Sequence, residues 1–172
     1  VAKTSRNRTL WLAVNLVTAL LGSWVIGLFE GSIQKLVALA VLMPIVASMG
    51  GNAGIQTLTV VIRGMSTGTI SRGNMMTVLR KETLVGVLNG LIWAVVVAVI
   101  AALWFQNIEL GGVIAAAIIA NLVMGAIAGV CIPIFLDKAN IDPALAGGVA
   151  LTTVTDVVGY FSVLGLATLW LF

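Results

Sequence analysis

Asp156 stands in the run Leu151-Thr-Thr-Val-Thr-Asp-Val-Val-Gly-Tyr160, inside an apolar stretch that begins near Pro143 and continues to Phe172. A carboxylate near the middle of a bilayer costs a few kcal/mol on insertion scales, so an acid in that place marks an ion or proton path more often than a packing site. Gly148, Thr152, Asp156 and Gly159 lie along one stripe at helical spacing, with Thr153 and Thr155 beside it. A second polar row, Ser48, Asn52 and Gln56, recurs every four residues and is continued by Thr59. Around it, Gly50, Gly51 and Gly54 allow close backbone approach, and Pro44 withdraws one backbone donor and can kink the helix.

Each row has two readings. Small and amide-bearing residues are routine glue between membrane helices, and the same residues can line a path with polar atoms. For Asp156 the alternatives are a protonated carboxyl bonded to threonine or asparagine, and a cation site. A proton relay uses several titratable groups, whereas this chain offers one carboxylate well inside a span, with Tyr160 beside it. A hard divalent cation such as Mg²⁺, which keeps several waters and is held through one or two carboxylates, suits so few ligands. Two chains meeting on a twofold axis would present Asp156 twice, two negative charges for one divalent ion. Soft metals are disfavoured, because the six methionines and the single Cys131 do not converge on this stripe.

The elements that position these residues follow from length and hydropathy. The 172 residues are 60% hydrophobic and only 9% charged, against roughly a quarter charged in a soluble domain. An all-α polytopic membrane protein is therefore predicted. Five continuous apolar runs are long enough to cross a bilayer as helices: 9–29, 33–62, 83–105, 110–136 and 143–172. Lys3, Arg6, Arg8, Arg63, Arg72, Arg80, Lys81 and Lys138 fall on one side of these spans and Lys35 on the other. The excess of basic residues inside puts the N-terminus in the cytoplasm and, with five spans, the C-terminus outside a cell membrane, bacterial inner or plasma. Residues 1–8 read as a basic cytoplasmic lead-in, the end of a connecting helix, and 9–172 as the membrane domain.

Between the second and third spans, the latter half of the 63–82 connection reads as a short amphipathic helix at the interface. Asp142-Pro143 reads as an N-cap followed by proline at the first helical position. Asn15, Asn89 and Asn121 read as packing or hydrogen-bonding amides. Glu30, Glu109, Asp137 and Asp142 are placed at loop edges. With no histidine and one cysteine, the usual zinc, thiol-redox and Ser-His or Cys-His catalytic sets lack their parts, so no enzyme is expected.

The stretches LMPIVASMGGNAGIQTLTVVIRG from Leu42 to Gly64 and IDPALAGGVALTTVTDVVGYFSVLGLA from Ile141 to Ala167 resemble the membrane domain of the MgtE family of magnesium channels. The resemblance implies a homodimeric bundle with an ion path between subunits, lined by the second and fifth spans. It implies that Asp156 recognises hydrated Mg²⁺, with the Thr152 carbonyl as a helper. Ser48, Asn52, Gln56, Gly148 and Gly159 are the further candidates for pore lining. It also implies a cytosolic Mg²⁺-sensing region, with paired cystathionine-β-synthase-type domains and a plug helix, as a partner outside these 172 residues.

The reading is a Mg²⁺-selective channel domain in membrane lipid, with Mg²⁺ as transported ion and pore ligand and no nucleic-acid partner. The rivals are a proton- or sodium-coupled divalent-cation transporter and a non-conducting membrane assembly module. The residue pattern alone stops at a hard divalent cation; the resemblance narrows it to Mg²⁺.

Overall fold

A computed structural model describes residues 2–71 and 73–172, with side chains from Thr9 onward apart from Arg72. The basic side chains of Lys3, Arg6, Arg8 and Arg72 lie outside that description. Among the described residues six helices follow one another: α1 (Ala2–Leu28), α2 (Glu30–Lys35), α3 (Ala38–Ser66), α4 (Met75–Phe105), α5 (Ile108–Lys138) and α6 (Pro143–Trp170). All but α2 are long and apolar enough to span a membrane, so five spans are present, as the hydropathy predicts. Their outward faces carry Leu12, Leu16, Leu20 and Trp24 on α1 and Leu88, Ile92, Trp93 and Val99 on α4, all exposed. Such a surface is stable when the surrounding solvent is hydrocarbon.

Two boundaries differ from the sequence reading. The second span does not begin at Ile33: α2 ends at Lys35, Leu36 adopts an extended conformation (φ −142°, ψ 92°), and α3 starts at Ala38. Ile33 and Leu36 pack against the main core and look continuous with the span for that reason. The amphipathic segment before the third span is not a separate interfacial helix; it forms the first two turns of α4. Met75, Val78 and Leu79 pack on Val61, Val130 and Ile134, while Arg80 and Lys81 stay at least partly exposed. Long basic side chains can reach water from a helix whose stem is in the bilayer, so their charge does not end the helix.

The helix ends follow local chemistry. Asp142 Oδ1 accepts from the backbone N–H of Ala144 at 2.9 Å, and Pro143 opens α6 where its missing donor costs nothing. Asn107 Oδ1 accepts from the Leu110 N–H at 3.0 Å and caps α5. The preceding turn places Gln106 in the left-handed region at φ 51°. Asp142→Ala is expected to cost about 1 kcal/mol through loss of the N-cap, read as a lower unfolding temperature in detergent.

α5 is the central helix. It packs against α3, α4 and α6, and Leu110, Val113, Ile114, Ala117, Ile118 and Asn121 on it are fully buried. Two glycine pairs bring α3 and α5 to backbone contact: a Cβ on Gly125 would lie 2.6 Å from the Gly50 carbonyl oxygen, and one on Gly129 would lie 2.8 Å from that of Gly54. Gly86 and Gly90 do the same for α4 on α5. Lipid tails are as apolar as leucine, so close van der Waals packing between small residues drives association here.

Candidate ion path

α3 and α6 run antiparallel and meet along a seam of small residues. Ala47 lies against Gly159, Gly51 against Thr155, Gly54 against Leu151, and Leu58 against Gly147. The residue after each of these is turned by about 100° around its helix. In an antiparallel pair both turns carry the following residue to the same side of the seam. Ser48, Asn52 and Thr59 on α3 therefore share a side with Gly148, Thr152 and Asp156 on α6, and the two rows meet at one depth. Ser48, Asn52, Gln56 and Thr59 are exposed on the subunit, while Thr152 and Asp156 are half-buried. Gly159 stands apart from this face: it is in the seam itself, buried against Ala47 and Asn121.

The polar atoms of this face are partly engaged. Asn52 Nδ2 donates to Ser48 Oγ at 3.4 Å, and the Thr59 hydroxyl donates to the Ile55 carbonyl at 2.8 Å. Thr152 Oγ1 donates back to the carbonyls of Gly148 (3.0 Å) and Val149 (3.1 Å), and Thr153 Oγ1 donates to Val149 at 2.7 Å. The Thr152 carbonyl receives the Thr155 hydroxyl at 3.2 Å. With the threonine hydroxyls turned onto their own helix, Asp156 is left as the charged group of the face. No cluster of three His, Cys, Asp or Glu side chains occurs among the described residues, so one subunit offers an ion a single carboxylate at this point.

The match to a known family decides what this face belongs to. A family model described as MgtE, divalent cation transporter, matches residues 43–166, which include both polar rows. The chain belongs to the MgtE family. The magnesium transporter MgtE of Bacillus subtilis is 35% identical over 158 residues, 92% of this chain and 35% of that protein. Proteins of the same name from Enterococcus faecalis and Thermus thermophilus are 27% and 29% identical over 98% and 95% of this chain, and 37% and 36% of their own lengths. The chain spans about a third of the length of these curated relatives. MgtE membership and the five candidate spans make the chain integral to a membrane.

Two polar residues of this MgtE domain carry more than the sequence reading assigns them. Glu82 reads from sequence as part of the inner connection, but it lies two turns into α4, where Thr57 Oγ1 donates to its Oε2 at 3.3 Å. Thr57 is buried in α3 against α5, so Glu82 is a second acid drawn into the bundle. Placing the start of α4 at Met75 reveals it. Asn121 is fully buried and donates from Nδ2 to the Val46 carbonyl at 2.8 Å. Asn15 and Asn89, read as packing or hydrogen-bonding amides, are exposed on α1 and α4.

Proposed function

We propose that this chain is the Mg²⁺-conducting membrane domain of an MgtE-type channel, working as a homodimer in which the polar face of α3 and α6 meets its twofold copy. The supporting observation is the single-sided row of Ser48, Asn52, Thr152 and Asp156, open on the surface of the chain beside a seam packed by glycine, alanine, leucine and Thr155. Facing lipid, the Asp156 carboxylate and the amide groups not already bonded within the helix would be left unsatisfied, at a cost of several kcal/mol each. Apposition of two copies covers both rows and encloses a polar conduit. The twofold axis supplies two Asp156 carboxylates to one hydrated divalent ion, which satisfies the preference of Mg²⁺ for few protein ligands and retained waters.

The basic connections then face the cytoplasm, with the end bearing Lys35 outside. Asp156 supplies charge, Ser48, Asn52 and Gln56 supply polar contacts to the hydration shell, and Gly148 keeps the wall open beside Thr152. Conduction runs down the electrochemical gradient. Vesicles clamped at equal proton and sodium activities on both sides are expected to take up Mg²⁺ through the reconstituted chain and to show single-channel currents. Uptake that appears only with an opposing proton or sodium gradient would overturn the channel reading in favour of coupled transport.

A further inference from the structure

The Asn121 amide sits where three helices converge. Its own helix is α5; its Nδ2 donates to the Val46 carbonyl of α3 at 2.8 Å, and a Cβ on Gly159 of α6 would lie 2.9 Å from that same nitrogen. The orientation of the amide follows from the hydrogen bond, because the flipped form would set two oxygens against each other. Oδ1 is then buried with no hydrogen-bond partner among the described residues and lies over Gly50, where a Cβ would come within 2.9 Å of it. Buried polar atoms left unpaired are uncommon, and one kept at the meeting point of three helices calls for a reason.

The reason is its depth. Gly50 is two residues from both Ser48 and Asn52, and Gly159 is three residues, nearly one turn, from Asp156. Along the rest of the α3–α6 seam the contacts are made by glycine, alanine and leucine, plus the Thr155 hydroxyl that already bonds its own helix. Such smooth surfaces resist sliding poorly. A directional bond to one named carbonyl fixes both the height of α3 and the side-chain plane against which Gly159 rests. We propose that Asn121 is a positioning residue that sets the register of α3 against α6, so that Ser48, Asn52 and Asp156 stand at one depth. The register is a property of the fold; its effect on ions rests on the function proposed above.

The experiment uses the full chain in a Cys131→Ser background, with spin labels at Val60→Cys and Phe161→Cys, both exposed and outside the polar rows. Unlabelled chains are added in excess to isolate the distance within one subunit. The two labels are separated by roughly 20 Å of helical rise, so a slide along the seam changes their distance directly. Asn121→Leu keeps the branched outline with bulkier methyl groups and removes the donor, so a shift counts for the proposal only where Asn121→Ala reproduces it. It is expected to shift the label distance and to raise the half-saturating Mg²⁺ concentration for flux by about tenfold, the scale seen when groups that orient a metal's ligands are removed.

Gly86→Ala on α4, whose Cβ would lie 2.9 Å from that of Ala126, is the comparator. It is expected to lower the unfolding temperature with both other readouts unchanged. An unaltered label distance in Asn121→Leu, or equal shifts in Gly86→Ala, overturns the proposal. If Asn121→Leu does not insert, Asn121→Ala is judged on the same readouts. Asp156→Asn is run in parallel: wild-type Mg²⁺ dependence there overturns the ion-site reading, while the label distance still decides the role of Asn121.

Discussion

Asp156→Asn is expected to remove nearly all Mg²⁺ flux from reconstituted vesicles while leaving the helix bundle and the proposed dimer intact. The substitution is almost isosteric, and Asp156 is half-buried at the open side of the α3–α6 seam rather than in the glycine contacts that hold the helices together. The loss is electrostatic. A divalent ion separated from a carboxylate by one water layer, about 5 Å, gains about 1.7 kcal/mol from that charge even in bulk dielectric. In the proposed dimer, two copies would contribute on the order of a hundredfold in occupancy, and more in the lower dielectric of the bilayer. Flux within about threefold of wild type, at equal protein per vesicle, would remove Asp156 from the path, since the electrostatic gain would then be missing.

The second large effect concerns assembly. Gly125→Ala gains up to about 1 kcal/mol of helix propensity, but its Cβ would fall 2.6 Å from the Gly50 carbonyl oxygen and 3.3 Å from the Gly54 nitrogen. Both are backbone atoms in a continuous helix and cannot rotate away. Overpacking of that kind costs about 1–3 kcal/mol, and in lipid the lost contact is itself the driving force. The steric term wins, and Gly125→Ala is expected to lower the unfolding temperature and the yield of folded protein. Gly112→Ala is the matched control, since nothing lies within 4 Å of a Cβ there and only the propensity gain remains. Equal stability of the two variants would show that α3 and α5 do not need this approach.

The spans and the α6 cap were legible because they depend on local quantities: run length, hydropathy, and the Asp142-Pro143 pair. The start of α4 was not, because Arg80, Lys81 and Glu82 lower the hydropathy of residues that are helical for other reasons, namely the packing of Val78 and Leu79. The break at Leu36 escaped for the converse reason, since an apolar residue in a turn reads like one in a span. At the candidate site, four-residue spacing puts Ser48 with Asn52, and Thr152 with Asp156, on one face of each helix. It could not say that the two rows share a side, which follows only from the antiparallel seam. Gly159 fits the stripe by spacing and yet is taken by packing. Asn121 looked like Asn15 and Asn89 because one amide in an apolar helix carries no mark of burial. The matching Gly50/Gly54 and Gly125/Gly129 spacings are the signal that could have placed it beside α3.

α1 leans almost wholly on α6. Gly22 receives the Tyr160 ring, and beyond the turn into α2 the Ser32 and Thr168 hydroxyls share a hydrogen bond of 2.6 Å. Tyr160 is one turn from Asp156 on the same helix. In mechanical terms, a load applied along α1 passes chiefly through its side-chain contacts into α6, the helix that carries the acid. The α3, α4 and α5 helices, packed on one another at their glycines, lie on the other side of the α6 contacts from α1.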